Sequence, residues 1–210
     1  MVDGFKASDP LLAFSAHHVN AWEEGSEIVL DLSFSPWDSF TSIFDMGNML
    51  NQSLTEKVAS DSIMKRIRLN IGSKKVEGED WPNELGVPML TTMEFPTINM
   101  EYTGRRNRFA YGQVMIDYWR QTLVKKDLLK SMNDKTWSRR SHYPGELWFV
   151  ARPGAEEEDD GLLLTVVFDG ELRQSYLLLL DGRTFTEVDR AYLPHNVPFS
   201  FHGNWFPELH

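Results

Sequence analysis

The segment Glu27 to Phe34 (EIVLDLSF) sets Ile28, Leu30, Leu32 and Phe34 on one side of an extended chain, with Glu27, Asp31 and Ser33 on the other. Successive side chains of a strand point to opposite faces, so this period of two predicts a half-buried strand with its apolar face toward a core. Arg66 to Ile71 (RIRLNI) alternates in the same way, and Glu146 to Val150 (ELWFV) reads as a buried strand. Leu162 to Phe168 and Tyr176 to Leu180 are apolar runs closed by Asp169-Gly170 and Asp181-Gly182. Aspartate-glycine predicts hairpins with type I′ turns, in which both central residues take positive φ. Thr184 to Tyr192 is again strand-like. Strand and turn signals at such short intervals predict an all-β sandwich, barrel or propeller.

Helix is scarce. Trp37 to Asn51 is weakly amphipathic, and Leu123 to Met132 (LVKKDLLKSM) reads as a short surface turn or helix. Ser73 to Pro88 is polar and turn-rich, and Ala155 to Gly161 is an acidic segment; both read as loops. Glu156, Glu157, Glu158, Asp159 and Asp160 are expected in solvent there, as are Arg105, Arg106 and Arg108. No exact internal repeat is visible.

Composition narrows the function classes. A net charge of −10 and a pI near 5.0 argue against binding a phosphate backbone, so no nucleic-acid partner is expected. The absence of cysteine removes disulfides, thiolate metal sites and cysteine nucleophiles. No segment reaches the roughly 18–20 apolar residues of a membrane span, and no basic region precedes the short apolar patch at the N-terminus. These features predict a soluble cytoplasmic protein, with peripheral contact with lipid left open. Hydrophobic content of 41% suffices for a sizeable core and makes the chain a plausible host for an apolar ligand.

Six histidines could carry chemistry: His17, His18, His142, His195, His202 and His210. His17 opens HHVNAWEE just before the strongest strand, and His202 lies among aromatics in PFSFHGNW beside a glycine. Imidazole binds iron well, yet each histidine taken singly reads more readily as a structural or surface residue. There is no HExxH, no facial-triad spacing, no phosphate loop and no GxSxG elbow. Glu94 (MEFPTIN) and Glu146 (YPGELWFV) sit beside apolar residues, and a carboxylate buried there needs a fixed partner. That partner is either the second N–H of a metal-bound imidazole or a set of backbone amides in a loop. The residues alone therefore stop at a soluble, β-rich, acidic protein.

Five ordered segments go further. HHVNAWEE, MEFPTIN, RNRFAYG, YPGELWFVARPGAEEEDDGLLLTVVFD and YLLLLDGRTFTEVDRAYLPHNVPFSFHG resemble, in the same order, segments of the carotenoid oxygenases. Together they span nearly the whole chain. The resemblance implies a seven-bladed β-propeller, with short helices and loops on one face and ferrous iron on its axis. In that family four histidines hold the iron, and glutamates stand behind them. Carried over by motif, it implies His17 and His202 as iron ligands and catalytic residues, with Glu94 and Glu146 supporting them. His17 is chosen over His18 because relatives with one histidine keep it three residues before the asparagine. His18, His142, His195 and His210 match no family ligand.

The resemblance further implies that residues 1–210 are the C-terminal portion of one propeller domain whose N-terminal portion, with two more ligand histidines, is absent. The activity implied is iron(II)-dependent oxidative cleavage of a conjugated double bond in a carotenoid or apocarotenoid, giving carbonyl products. Its partners would be an apolar polyene and dioxygen. Three alternatives stand beside it: a catalytically inactive fragment or binding remnant, the branch that isomerises and hydrolyses retinyl esters, and an unrelated β-sandwich binding module. Trp148, Phe149, Phe199, Phe201, Trp205 and Phe206 are candidates for a substrate tunnel wall, with ordinary core packing as the heavier reading for each.

Overall fold

The computed structural model describes residues 6–7, 14–43, 45–51, 62–83, 92–117, 120–199 and 201–206. The fold is all-β with few helices. The chain runs through β1 (Lys6–Ala7), β2 (His18–Glu24), β3 (Glu27–Phe34), α1 (Trp37–Ile43), α2 (Met46–Leu50), β4 (Ile63–Asn70) and β5 (Lys75–Asp80). It continues through β6 (Glu94–Thr97), β7 (Phe109–Asp117), β8 (Arg120–Asp127), β9 (Lys135–Trp137), β10 (His142–Pro144) and β11 (Trp148–Ala151). It then closes with β12 (Gly161–Asp169), β13 (Gln174–Asp181) and β14 (Glu187–Tyr192). Among the described residues the strands form three sheets, ordered β1-β5-β4-β3-β2, then β6-β7-β8-β9, then β10-β12-β13-β14 with β11 also on β12. Apart from the parallel β1–β5 pair, all strands pair antiparallel.

Two cores hold the sheets together, and the second sheet lies between them. Ala110, Val114 and Val124 cluster with Met64 and Trp81 of the first sheet region. Phe109, Tyr111 and Leu123, on the opposite side of the same strands, cluster with Leu147, Phe149, Leu163 and Tyr176 of the third. Tyr111 stacks on Phe149 with centroids 5.5 Å apart. A strand covered on both faces loses the polar side that alternation would show, and reads as neither strand nor helix.

That explains the largest departure from the sequence reading. Leu123 to Asp127 is the buried end of β8, not a surface turn or helix; a single 3₁₀ turn at Ser131–Asn133 follows it. Lys125 and Lys126 are buried because each ammonium has fixed acceptors. Lys126 Nζ reaches Asp134 at 2.5 Å, and Lys125 Nζ reaches Asp159 at 2.5 Å and the Gly182 carbonyl at 2.7 Å. Burial pulls the Lys125 amine below its ordinary range, with Asp159 opposing.

The faces of β3 are also exchanged. Val29, Asp31 and Ser33 are its fully buried residues, whereas Ile28, Leu30, Leu32 and Phe34 are only half-buried. Asp31 survives burial because Arg66, its direct neighbour on β4, grips both carboxylate oxygens at 2.9 Å and Trp81 Nε1 donates at 3.1 Å. The Arg66 guanidinium in turn lies 5.0 Å over the Trp22 ring.

Hairpins form at Asp169-Gly170 and Asp181-Gly182, but neither glycine has positive φ, so these are not type I′ turns. The aspartates accept from the backbone N–H groups of Glu171 and Leu172, and of Arg183 and Thr184. The left-handed residues are Arg173 (φ 56°) and Phe185 (φ 60°). Glycine serves close approach instead: a Cβ on Gly182 would lie 2.5 Å from the Asp159 carbonyl oxygen.

Two segments read as loops also differ. Lys75 to Asp80, within Ser73 to Pro88, is β5, and residues 84–88 lie outside the described residues. The acidic segment is a loop in which Glu156 and Glu157 are exposed, as expected, whereas Glu158, Asp159 and Asp160 are half-buried. Glu158 accepts from Arg108 N and Phe109 N at 2.7–2.9 Å, and Asp160 meets Arg152 and Arg183. Arg105 and Arg106 are exposed, as expected, with Arg106 3.5 Å from Glu24, whereas Arg108 is half-buried and pairs both oxygens of buried Asp127 at 2.8–3.0 Å.

Burial works to raise the Asp127 carboxyl, but Arg108, Asn133 and the Leu129 N–H outweigh it and bring the value from 3.8 to about 2. A carboxyl depressed on folding stabilises above its unfolded value and loses that contribution as pH falls through its folded value. Urea unfolding of the parent should therefore lose up to about 2 kcal/mol between roughly pH 4 and pH 2, less whatever solvent screens at half-exposed Arg108. The D127N chain should be flatter across that window. An equally steep D127N profile would assign the acid sensitivity to other carboxylates.

Candidate metal centre

His17 stands immediately before β2, and β3 fixes its main chain. Ser33 N donates to the His17 carbonyl at 2.9 Å, and His17 N donates to Ser33 Oγ at 3.3 Å. Its ring crosses to the second sheet, where Nδ1 meets Glu94 Oε2 at 2.5 Å. Glu94 opens β6, between buried Met93 and Phe95, which holds left-handed backbone at φ 50°. Such a conformation costs a non-glycine residue on the order of 1–3 kcal/mol and persists only where surroundings enforce it. Here it sets the Phe95 ring 5.1 Å from His17 and 5.8 Å from His202. The other Glu94 oxygen accepts from Ser62 Oγ, which lies 2.6 Å from Ser35 Oγ.

His202 comes from the opposite end of the chain. After β14 the polypeptide is pinned to the start of β13, where Leu193 N donates to the Ser175 carbonyl, Ser175 N to Asn196 Oδ1 and Val197 N to Ser175 Oγ. It then reaches Glu146, in the loop between β10 and β11. Glu146 Oε1 is 3.1 Å from His202 Nδ1, and its Oε2 accepts from Gly203 N at 2.8 Å. The two alternatives raised for a buried glutamate, imidazole and backbone amide, thus meet in one residue.

The imidazoles of His17 and His202 lie with centroids 5.5 Å apart and planes at 73°. Each presents Nδ1 to a carboxylate, which can only accept. A neutral ring so held carries its proton on Nδ1 and its lone pair on Nε2, the arrangement that metal-binding histidines adopt. Two rings sharing one metal through bonds of about 2.1 Å have centroids on the order of 4.5–5.5 Å apart. The donor pair therefore fits a nitrogen-liganded transition metal such as iron. Among the described residues no cluster of three or more His, Cys, Asp or Glu surrounds a common point.

The remaining candidates fall elsewhere. His18 is exposed at the start of β2, and His195 is exposed after β14. His142 is buried in β10, with Nδ1 3.0 Å from the Arg140 carbonyl and Nε2 3.6 Å from Asp169. His210 lies outside the described residues. Of the aromatic candidates, Phe149 is core and Trp148 is half-buried. Phe199, Phe201, Trp205 and Phe206 are exposed, which corrects the core reading for these four. Phe201 still touches the site, 5.7 Å from Phe95. Sequence reasoning missed Ser33, Ser35, Ser62 and Phe95. Ser33 is visible only as part of the polar side of an alternating strand, and nothing local marks Ser35, Ser62 or the left-handed backbone of Phe95.

The chain matches the family described as RPE65, retinal pigment epithelial membrane protein, over residues 5–207. It is 35% identical over 213 residues to the rice (Oryza sativa subsp. japonica) carotenoid cleavage dioxygenase 8 homolog B, chloroplastic, covering 94% of this chain and 35% of that protein. It is 28% identical to mouse (Mus musculus) β,β-carotene 15,15′-dioxygenase, covering 96% of this chain and 39% of the relative. A structure of cobalt-substituted Synechocystis apocarotenoid oxygenase superposes with a TM-score of 0.75 at 26% identity, covering 92% of this chain and 39% of that one. The chain thus spans about two fifths of the length of these proteins. The three sheets superpose on part of that neighbour's seven-bladed propeller. The expected cytoplasmic setting has no counterpart in the rice relative's chloroplastic name; no helix among the described residues is long and apolar enough to cross a membrane.

Truncating Glu94 would leave His17 Nδ1 and the Ser62 hydroxyl without the acceptor that joins them. In urea unfolding, E94A should cost about 1–3 kcal/mol, the penalty of stranding partly buried donors, while H18A should stay within about 0.5 kcal/mol. Equal losses from the two variants would remove Glu94 as a link between the first and second sheets.

Proposed function

The chain belongs to the RPE65 and carotenoid oxygenase family, and on that premise we propose that it forms the C-terminal part of a non-haem iron(II) centre for oxidative cleavage of a carotenoid or apocarotenoid. The observation that carries the reading is the approach of His17 and His202. Two imidazoles from opposite ends of the chain, each backed by its own glutamate, lie with centroids 5.5 Å apart. A generic binding module gives no reason for that convergence.

In this reading His17 and His202 hold the metal through Nε2, while Glu94 and Glu146 keep the protons on Nδ1 and fix the ring planes. Ferrous iron, when bound, supplies the activation of dioxygen that protein side chains lack. Phe95 and Phe201 provide an apolar wall beside the imidazoles, suited to a polyene and unfavourable to water. No carboxylate serves as a ligand; both are spent on orientation. The family's four-histidine set would take its other two imidazoles from chain beyond these 210 residues, and the whole ring would supply the substrate tunnel. Contact with lipid belongs to the proposal because the polyene is insoluble in water, and exposed Trp37, Met46 and Leu50 on α1 and α2 offer apolar surface.

A second reading concerns the isolated chain: among the described residues no third His, Cys, Asp or Glu joins the two imidazoles, which supports weak iron binding without turnover. Loading the purified 210-residue chain anaerobically with ferrous ammonium sulfate, and a longer polypeptide containing it in parallel, separates the two. The longer protein should hold about one iron and release aldehydes from β-carotene under oxygen; H17A and H202A should each lower iron retention at least tenfold, and H18A should leave it unchanged. Carbonyl release undiminished in H17A or H202A would refute the assignment. Retinol released from a retinyl ester without aldehyde would instead place the chain in the isomerohydrolase branch.

A further inference from the structure

We propose that Ser62, backed by Ser35, is a positioning residue for the metal centre that locks the Glu94 carboxylate and, through it, the tautomer of His17. The inference rests on the proposed metal site and adds a part that none of the compared proteins' names assigns.

The two glutamates do the same work with different anchors. Glu146 gives one oxygen to His202 and has the other held by a backbone amide, Gly203 N at 2.8 Å. Glu94 gives one oxygen to His17, and its other oxygen accepts from the Ser62 side chain. A main-chain donor is present whatever the side chain is; a hydroxyl is present only while residue 62 is serine or threonine. The His17 half of the centre is therefore the half that one side chain can loosen.

Direction follows from the chemistry of the groups. A carboxylate can only accept, so the single Ser62 proton points to Glu94 and the Ser62 lone pairs face Ser35, 2.6 Å away. The Ser35 hydroxyl then donates to Ser62, and His17 donates from Nδ1 into the opposite side of the same carboxylate. Every proton in the series Ser35–Ser62–Glu94–His17 is directed at Glu94, which leaves Nε2 of His17 bare. Both serines are almost fully buried, at 4% and 1% exposure, so water does not readily replace either. Their meeting is built into the first sheet. β3 and β4 pair in register to Phe34 opposite Ile63, and Ser35 and Ser62 stand one residue beyond that last pair on each chain.

The test uses the full 210-residue chain and two readouts. In the metal-free protein, long-range ¹⁵N–¹H correlation at pH 8 reports which ring nitrogen of His17 carries the proton. Cobalt(II) chloride titration followed by visible absorption reports metal affinity. The parent should show the Nδ1–H tautomer; S62A should show a mixture of both and bind cobalt about tenfold more weakly. S62T should restore both, and S62A should add nothing in an E94Q background. S35A, which removes only the outer link and guards against an S62A chain that does not fold, should shift both readouts in the same sense by about threefold. Tautomer and affinity unchanged in S62A and S35A, within about twofold, would overturn the proposal while leaving a cobalt-binding parent intact. A parent that binds no cobalt but whose His17 tautomer responds to S62A would sustain the positioning role and remove the metal reading beneath it.

Discussion

Asp31, Ser33 and Ser35 lie at alternate positions on the buried side of β3 and just beyond its end, and each holds another part of the chain in place. Asp31 gathers Arg66 and Trp81, joining β3 to β4 and to the core shared with the second sheet. Ser33 receives the backbone of His17, and Ser35 meets Ser62 behind Glu94. A polar row inside a packed interface is costly unless every member is paired. Pairing it fixes the relative position of strands that apolar contacts alone would let slide. The position of His17 is a consequence of that row, because its main chain is held from β3 and the carboxylate at its ring by Ser62, which Ser35 meets.

The second half of the proposed centre is organised by different means. His202 follows β14, and its placement comes from hydrogen bonds of Leu193, Asn196 and Val197 with Ser175 and then from Glu146. His17 is about a fifth exposed and His202 more than half, 20% against 60%. The side built on two packed sheets is preorganised; the side built on a returning tail depends on its glutamate. Phe95, held left-handed between the two rings, belongs to both.

Much of this was legible in the chain. Alternation at Glu27 to Phe34, and the apolar runs around Asp169-Gly170 and Asp181-Gly182, located β3, β12 and β13. The five family-like segments pointed to the residues that the fold brings together. What stayed hidden has a common physical origin. Period-two patterns identify two faces but not which is inside, and on β3 the polar face went inward because partners from β4 and the Trp81 segment complete it. A doubly covered strand such as β8 looks neither apolar nor alternating, since Lys125 and Lys126 carry their counter-charges from loops distant in sequence or just beyond the strand. Aspartate-glycine marked hairpins correctly but not their geometry. Aspartate side chains cap those turns, and the left-handed residues are Arg173 and Phe185.

Convergence of two imidazoles on one metal is the claim on which the functional account stands. Crystals of the chain soaked in cobalt(II) chloride, with diffraction recorded at the cobalt edge, would locate the ion directly. One strong anomalous peak is expected, bonded to Nε2 of both His17 and His202 at about 2.1 Å, with Glu94 and Glu146 still on the Nδ1 atoms. A peak on only one of these rings, on Nδ1, or at His142 or His18 would contradict it.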